Sequence, residues 1–518
     1  MGFRPWKAKT EGLASEIAIG PESSQYPDGL DHKNDGLTPT VDGPENPVHD
    51  RPVEDAQHGV QAVEAVTLVW TKNQLYLAYA FIFLVFFVIS MQQQIQNNLS
   101  YYVTSSFALL PLTGTTGIVS SIIGGVFRLP IAKFIDLVGR AEGFAIMTAF
   151  ATIGLVMMAA CRNVETYAAA QVFYWLGFDG KAKKAGLIKK SDSGRTWTES
   201  ISYYFWEFDI IGLLLISAGF VLFLLPFSLA SYQKQGWHSG MIIAMLVIGI
   251  CCLIAFGFYE RYADRKSFIP FELLTDYTVI GACLCSAFFF ISFYCWDSYF
   301  YNYLQAVHGL TVTHTGYVTN IYSIGSCFWA VVISYLIRVT GRFKWLALYF
   351  AVPLQILGVG LMIHFRQPHH PIGYVIMCQI FIAFSGGTIV ICQQMAVMAA
   401  APHKGVASML ALIGLFTSVG GAVGTAISGA IYTNKFPAAL AQKITNEALA
   451  KQLYGNLTAQ LEYPIGSMER NAVWFAYGES MKWLSVAGTV FMIPCFIFVG
   501  MWRDFKVDEM KQVKGTVA

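Results

Sequence analysis

The most informative polar residue of this sequence is Asp297, which ends a long apolar block and begins the segment WDSYFYNYLQ. An ionisable residue in such a block is by default functional, because a charge is costly in hydrocarbon. If Asp297 becomes buried, its carboxylate can take up and release a proton, and we predict that role for it. The neighbouring Tyr299, Tyr301 and Asn302 offer aromatic faces and hydrogen-bonding groups, and are predicted to contact a bound molecule.

Two other carboxylates are alternatives for the proton-carrying role. Glu207 and Asp209 lie at the mouth of another apolar block. Both positions are typical of acidic residues that begin a helix, where they interact favourably with the helix dipole. Asp297 therefore remains the preferred candidate.

Arg128 is a cation within the second apolar block, and its helix face is defined by small residues. These are spaced four apart: Gly117, Ser121 and Gly125. Residues separated by three, four or seven positions share a helix face, so Arg128 points into the bundle together with this close-packing stripe. We predict a substrate-binding role for Arg128, with a structural ion pair or contact with the inner membrane surface as the alternative.

Neutral amides and aromatic residues form two further candidate groups. The amides end the first apolar block: Gln92, Gln93, Gln94, Gln96, Asn97 and Asn98. Of these, Gln92, Gln93 and Asn97 are predicted to bind substrate. The loop 433–481 carries Trp474 and Tyr477, which either pack at the membrane interface or belong to a lid that captures substrate. Its central stretch, ITNEALAKQLYGNLTAQLEY, is predicted to form one amphipathic helix.

Several kinds of chemistry are not indicated by the sequence. All 10 cysteines fall inside apolar blocks, without CxxC or Cys/His metal spacing, so neither a metal site nor a disulfide framework is predicted. No GxxxxGK[ST] motif points to ATP as an energy source. No nucleophile–base arrangement stands out, so we expect a non-enzyme without a cofactor and without a nucleic-acid partner.

The elements that must position these residues are membrane-spanning helices in a lipid bilayer. The chain is 55% hydrophobic and 13% charged, whereas roughly a quarter of the residues of a soluble protein are charged. The apolar blocks approach the ~20 residues that cross a bilayer. Predicted spans are 75–91, 113–132, 143–160, 166–178, 209–230, 240–259, 279–297, 315–337, 345–363, 372–392, 405–432 and 482–501. The fold class is therefore an all-α polytopic membrane protein, although the fourth span is shorter than the usual ~17 residues.

Positive charges in the short loops predict the orientation. If the N-terminus is cytoplasmic, most Lys and Arg near the spans lie inside, as they do in known membrane proteins. The sequons at Asn98 (NLS) and Asn456 (NLT) then both lie outside, and both are predicted to be glycosylated. The C-terminus is cytoplasmic in this arrangement.

A short repeat follows the second and the eighth spans. The segments are IDLVGR and IRVTGR, with the motif residues Asp136, Gly139, Arg140, Gly341 and Arg342. Each loop combines a turn glycine with an arginine that can reach helix-end carbonyls or a neighbouring carboxylate. Recurrence at the same membrane face is typical of transporters with duplicated halves.

The fuller string RLPIAKFIDLVGRAEGF resembles the loop between helices two and three of the major facilitator superfamily. The segments YAAAQVFYW, KAKKAGL, FWEFDIIGLLL and RKSFIPFELL are similar to those of fungal siderophore–iron transporters, and the resemblance covers about 75–518. It implies a major facilitator fold and a proton symporter that imports ferric hydroxamates across the plasma membrane or an endosomal membrane. Neutral amides and aromatic faces suit such a bulky, weakly charged chelate, whose iron needs no protein ligand.

The chain departs from that family at its fourth span, where LGFDG runs directly into KAKKAGL. In the family, helix four continues and helices five and six follow. The resemblance thus implies an incomplete N-terminal half with 11 full spans of 14; the alternative is an intact bundle of six plus six helices. We expect the gap to leave Arg128 and its small-residue face next to lipid, and the chain to insert but transport poorly or not at all.

The predicted organisation has six parts. They are a disordered cytoplasmic tail (1–73), the truncated N-terminal half (74–178), a basic cytoplasmic loop (179–207), two linker helices (208–260), a six-helix C-terminal half including the external loop 433–481 (278–502), and a cytoplasmic tail (503–518).

Two other functions remain open at this point: a drug or toxin efflux antiporter of the same superfamily, and a truncated membrane protein that does not transport. The sequence does not indicate an oligomeric state.

Overall fold

The computed structural model describes residues 72–107, 113–138, 140–181, 206, 209–230, 233, 235–262, 276–400 and 406–506. All regular structure within these residues is helical. Most of the predicted tail 1–73 and of the basic loop 179–207 lies outside the described residues, as does 507–518.

Among the described residues, four helices precede the basic segment: α1 Lys72–Ser106, α2 Thr113–Val138, α3 Arg140–Ala159 and α4 Val164–Lys181. The 35 residues of α1 extend about 50 Å at 1.5 Å per residue, well beyond the ~30 Å of a hydrocarbon core. Helix α4 has 18 residues and extends at both ends beyond the span predicted at 166–178. Its ends carry Glu165, Asp179 and Lys181, and it is not among the described helices that are long and apolar enough to cross a membrane.

The described residues that follow contain two helices assigned as linkers, the helices of the C-terminal half and two short helices between α12 and α15. The linker helices are α5 Ile210–Leu229 and α6 Gly240–Tyr262. The others are α7 Tyr277–Asp297, α8 Phe300–His308, α9 Val312–Thr340, α10 Val352–Phe365 with a preceding π-helical turn Leu346–Ala351, α11 Ile372–Ala400, α12 Val406–Ala441, α13 Glu447–Gly455, α14 Leu457–Glu462, α15 Met468–Met492 and α16 Cys495–Gly500. A helix that is broken into two consecutive segments counts here as one span. The described residues then contain 8 spans that are long and apolar enough to cross a membrane, so this is a multi-pass membrane protein.

The element between α12 and α15, predicted as an external loop, differs from its prediction in two ways. It is shorter than 433–481, because α12 continues to Ala441 and α15 already begins at Met468. The single amphipathic helix expected there is wrong, since the chain forms α13 and α14 instead. Asn456 separates them: its backbone is extended, and its side-chain oxygen accepts hydrogen bonds from the N–H groups of Thr458 and Ala459. An asparagine in this position begins a new helix rather than continuing the old one.

Helix α2 packs along α12, and α5 lies against both of them. A Cβ placed on Gly125 would lie 2.2 Å from the Cβ of Ser418, so a glycine is required for this close approach. The Nη1 of Arg128 donates to the carbonyl of Gly414 at 3.4 Å. The expectation that Arg128 and its small-residue face would lie next to lipid is therefore wrong. They pack against the intact C-terminal half.

Helices α1 and α9 expose apolar stripes instead. On α9 the exposed residues are Tyr317, Ile324, Phe328, Val331 and Tyr335, each between 67% and 71% accessible. On α1 they are Leu84, Val88, Met91, Ile95 and Leu99. The spacings of three, four and seven residues place each set on one helix face. Each helix thus presents a continuous apolar face that no described helix covers.

Of the two repeat motifs, the structure describes the side chains of the second but not those of the first. Gly341 ends α9 with a left-handed φ of 65°, a conformation that glycine adopts at no steric cost. The adjacent Arg342 pairs its Nη1 with Asp504 Oδ2 at 3.0 Å, tying the end of α9 to the segment after α16. Gly139 and the side chains of Asp136 and Arg140 lie outside the described part of the structure.

Candidate functional site

Two adjoining cavities meet at Asp297 in the middle of the bundle. Their volumes are about 170 and 240 Å³, and four residues line both of them: Ser100, Tyr101, Tyr294 and Asp297. Asp297 is the last residue of α7, and the other three residues come from α1 and α7. The N- and C-terminal halves therefore contribute to one site.

The walls of this central site are rich in hydroxyl and amide groups. The first cavity adds Gln93, Gln96, Gly114, Thr116, Gly117, Ser120, Ser121, Gln171, Tyr174, Ser298, Tyr299 and Thr425. The second adds Gln94, Phe293, Tyr301, Thr319, Asn320, Tyr322 and Ser323. Asp297 is the one charged side chain in either lining. Such a surface suits a bulky ligand that presents many hydrogen-bond acceptors and little net charge.

Asp297 lies where a transmembrane helix is broken. Helix α7 ends at Asp297 and α8 begins at Phe300, so the backbone between them leaves the helical path. The freed carbonyl of Ser298 accepts a hydrogen bond from the hydroxyl of Tyr101 at 3.1 Å. In apolar surroundings such a break is tolerated only where side chains satisfy the backbone, and broken helices of this kind frequently form the substrate and ion sites of transporters.

The carboxylate of Asp297 forms no ion pair within 4.0 Å with any residue that the structure describes. Two ion pairs found among those residues lie near helix ends instead, at Arg342–Asp504 and Arg503–Asp276. Asp209, an alternative from the sequence, accepts hydrogen bonds from Gly212 N–H and the Tyr259 hydroxyl at the start of α5. That is the role of a helix cap. Glu207 lies outside the described residues.

The structure brings three of the predicted binding residues to the cavities. Gln93 and Tyr299 line the first cavity, and Tyr301 lines the second. The ring of Tyr301 stacks on Tyr101 with centroids 5.2 Å apart. Tyr299 is fully buried and stacks on Tyr432 at 3.9 Å, so only its edge faces the cavity.

The other predicted binding residues lie elsewhere. Trp474 donates its indole N–H to the carbonyl of Ala306 on α8, and Tyr477 donates its hydroxyl to Gln460 on α14, so both residues join α15 to neighbouring helices. Arg128 lines neither cavity, and it lies seven residues from the cavity-lining Ser121, or about 10 Å along α2. Gln92 and Asn302 line neither cavity, yet both carry buried amide atoms without hydrogen-bond partners among the described residues. The side chains of Asn97 and Asn98 lie outside the described part.

Several lining residues were not identified from the sequence. Tyr101 follows the amide cluster by three residues, and Tyr294 lies one helical turn before Asp297, so spacing along a helix could have indicated both. Tyr322 and Asn320 lie on α9, where no local pattern distinguishes them from residues that face lipid. Asn320 accepts a 2.5 Å hydrogen bond from Gln94 of α1, a contact that depends on tertiary packing.

The arrangement of helices and central site is that of a major facilitator transporter. The Major Facilitator Superfamily profile matches residues 210–425. A bacterial homologue of the human lysosomal transporter Spinster, solved in an inward-facing, occupied conformation, superposes with a TM-score of 0.53. Its sequence is 15% identical, and the match covers 83% of this chain and 97% of that one. The fold class predicted from the sequence is confirmed.

Curated relatives define the family more closely. An "MFS siderochrome iron transporter 1" of Ajellomyces capsulatus is 47% identical, over 89% of this chain and 92% of that protein. "Siderochrome iron transporter 2" of Aspergillus fumigatus is 40% identical, over 96% and 95%. "Siderophore iron transporter mirB" of Emericella nidulans is 38% identical, over 90% of each chain. This chain belongs to the fungal siderophore iron transporter family of the Major Facilitator Superfamily, a family of transporters and not of enzymes.

These alignments also show that residues are absent from this chain. The alignment with the Ajellomyces relative spans 541 positions but uses 89% of 518 residues, about 461, so about 80 positions have no counterpart here. The Aspergillus alignment gives the same difference, since 96% of this chain fills about 497 of 577 positions. About 80 residues suffice for two membrane-spanning helices and their loops. The N-terminal half is incomplete.

Proposed function

We propose that this chain binds a ferric siderophore of the hydroxamate class in the central site, and that the complete architecture imports it with protons carried by Asp297. The observation that carries this proposal is the lining itself, which surrounds one carboxylate with amides, hydroxyls and tyrosines. The names of the relatives support the substrate class.

Iron enters this proposal as cargo and not as a protein-bound metal. A ferric chelate has its coordination positions filled by the siderophore, so the transporter has to recognise the organic surface. Among the described residues, no group of three or more His, Cys, Asp or Glu side chains is placed to hold a metal ion. Each of the two cavities is smaller than the 300–1,000 Å³ typical of ligand pockets, so the site has to widen to admit a bulky chelate.

The binding step is tested with purified protein in lipid nanodiscs. A ferric trihydroxamate added to the chain should quench tryptophan fluorescence with saturation, and a ferric catecholate of similar size should bind at least tenfold more weakly. Trp296 precedes Asp297 and provides a nearby reporter. Equal affinity for both chelates, or no saturable quenching by either, would reject the substrate class.

The cell orientation is proposed from the charge distribution, with both termini cytoplasmic in the plasma membrane or an endosomal membrane. Asn456 supports this proposal because its oxygen caps α14 while its nitrogen remains the atom that carries a glycan. Asn456→Gln should increase the electrophoretic mobility of the protein, and protease added outside intact cells should cleave between α12 and α15. Unchanged mobility combined with cleavage only after permeabilisation would indicate the inverted orientation.

A second function is favoured by the missing residues: a membrane protein that inserts and binds but does not transport. Alternating access requires two halves that move against each other around the site. The uncovered faces of α1 and α9 lie at the boundary between those halves. Uptake of a radioactive ferric hydroxamate by cells that express the unmodified chain distinguishes the two functions.

A further inference from the structure

Arg366 is a cation buried at the break between α7 and α8. It follows α10 directly and has no accessible surface. Its Nη1 donates a 2.5 Å hydrogen bond to the carbonyl of Trp296, the residue before Asp297. The guanidinium carbon lies 4.6 Å from the ring centre of Phe300 and 5.2 Å from that of Tyr303. One side chain therefore contacts the end of α7 and the start of α8.

The hydrogen-bonding capacity of Arg366 is only partly used. Its Nε and Nη2 atoms have no partner among the residues that the structure describes, and no described carboxylate pairs with it. A buried cation is costly unless an opposite charge or further hydrogen bonds compensate it. The two aromatic rings supply part of that compensation through their π faces. The guanidinium thus retains donors that an anion could use.

Asp297 directly follows Trp296, so the hydrogen bond from Arg366 brings its positive charge to the backbone beside that carboxylate. The titratable groups that line the cavities together with Asp297 are tyrosines: Tyr101 on α1, Tyr174 on α4, Tyr294 on α7, Tyr322 on α9, and Tyr299 and Tyr301 beside the α7–α8 break. Among the described residues no cation lines either cavity, so Arg366 is the positive charge held at this break.

We propose that Arg366 is a positioning residue for the proton-carrying site. It fixes the α7–α8 break through the Trp296 carbonyl and supplies the positive charge that keeps the Asp297 carboxylate ionised until a proton arrives. This inference rests on the proposed role of Asp297. Arg366 lines neither cavity, so it acts on the proton affinity of Asp297 and not through contact with the substrate.

Infrared difference spectroscopy on the full chain in nanodiscs measures this directly. Asp297→Asn identifies the carbonyl band of protonated Asp297 as the band that disappears, and a pH titration gives its midpoint. In Arg366→Met the midpoint should move up by about one pH unit, a tenfold gain in proton affinity, because an opposite charge favours the ionised carboxylate. Arg366→Lys keeps the charge and should shift the midpoint by less than a third as much.

Arg470→Met is the matched control. Arg470 is also buried, but its Nη2 donates to the carbonyl of Gln305 at 3.1 Å. Its removal should leave the Asp297 midpoint unchanged. An unmoved midpoint in Arg366→Met, or an equal shift in both methionine variants, would overturn the proposal.

A second measurement keeps the proposal testable if Arg366→Met folds poorly. In thermal melting, the double variant Asp297→Asn/Arg366→Met should lose less stability than the two single variants together, because neither charge is left without the other. Additive losses would contradict the link between the two residues. Chelate binding is measured separately by fluorescence. Absence of binding with an intact midpoint shift would reject the proposed function and leave the Arg366–Asp297 link standing.

Discussion

The two boundaries between the halves of this molecule differ in packing. On one side, α2 lies against α12 so closely that Gly125 cannot carry a side chain, and α5 covers the pair. On the other side, α1 and α9 meet through the Gln94–Asn320 hydrogen bond and leave apolar stripes exposed. The same chain therefore contains one sealed and one open boundary.

Pseudo-symmetry explains the difference. The halves of a major facilitator protein are related by an axis along the membrane normal. Helix two of the first half, α2, packs on helix five of the second half, α12. Symmetry then requires helix two of the second half, α9, to pack on helix five of the first half, which is among the helices that the family comparison implies are missing. Loss of that helix would leave the α2 boundary intact and uncover α9.

The open boundary adjoins the candidate site. Gln94, Asn320, Tyr322 and Ser323 line the second cavity beside Asp297, and all four belong to α1 or α9. Lipid or water that enters between these helices would reach the carboxylate. We therefore expect the missing helices to affect transport far more than insertion.

The largest expected effect comes from closing the open boundary. A chimera that receives the corresponding helices of the Ajellomyces relative between Asp179 and Lys184 should raise uptake of a radioactive ferric hydroxamate at least tenfold over the unmodified chain. The reason is that the added helix covers the apolar face of α9. A control insert of equal length with scrambled sequence should have no effect. Robust uptake by the unmodified chain would contradict the comparison.

The second expected effect is a loss of proton-coupled uptake, and it is measured in the chimera that contains the added helices. In the completed chimera, Asp297→Asn should abolish accumulation at acidic pH and change chelate binding by less than threefold, because an amide cannot titrate. Asp504→Asn removes a carboxylate that pairs with Arg342 away from the central site and should retain uptake. If Asp297→Asn takes up chelate with the original pH dependence, Asp297 is not the proton carrier.

Tyr101 contacts the C-terminal half from α1, and its removal should weaken binding in the unmodified chain. Tyr101→Phe loses the hydrogen bond to the Ser298 carbonyl, worth about 1 kcal/mol, and should lower affinity about fivefold. Tyr101→Ala also loses the stack on Tyr301 and should lower it tenfold or more. Tyr317→Ala, on the exposed stripe, is the control. Equal losses in Tyr101→Ala and Tyr317→Ala would argue against a site at Tyr101.

The smallest expected effect is a difference in protein stability between a substitution at the closely packed boundary and one at the open boundary. Gly125→Ala should destabilise the protein by about 1–3 kcal/mol, because the new Cβ would overlap Ser418. Phe328→Ala, on the open face, should change stability by no more than about 0.5 kcal/mol. Melting temperatures in nanodiscs report both. Similar shifts for the two variants would mean that the α9 face is covered in the membrane.

Parts of the site were predictable because they depend on local chemistry. Asp297, Tyr299 and Tyr301 follow one another along the chain, so a single segment indicated them. Arg366 was not identified from the sequence, because nothing local distinguishes it from other loop cations, whereas the structure buries it completely. Trp474 was assigned to a substrate-capturing lid or to interface packing, and its contact with the Ala306 carbonyl follows from the docking of α15 on α8.

By itself, the sequence determined that this chain is a helical membrane protein of a transporter family with an incomplete first half. Apolar blocks, charged loops and short motifs are local properties, and the bilayer converts them into spans and orientation. Only the tertiary structure decided which boundary the loss exposes. That outcome depends on which helix of one half meets which helix of the other. It gave Arg128 a contact with Gly414 and left Phe328 exposed, although the gap in the first half predicted that Arg128 would lie next to lipid.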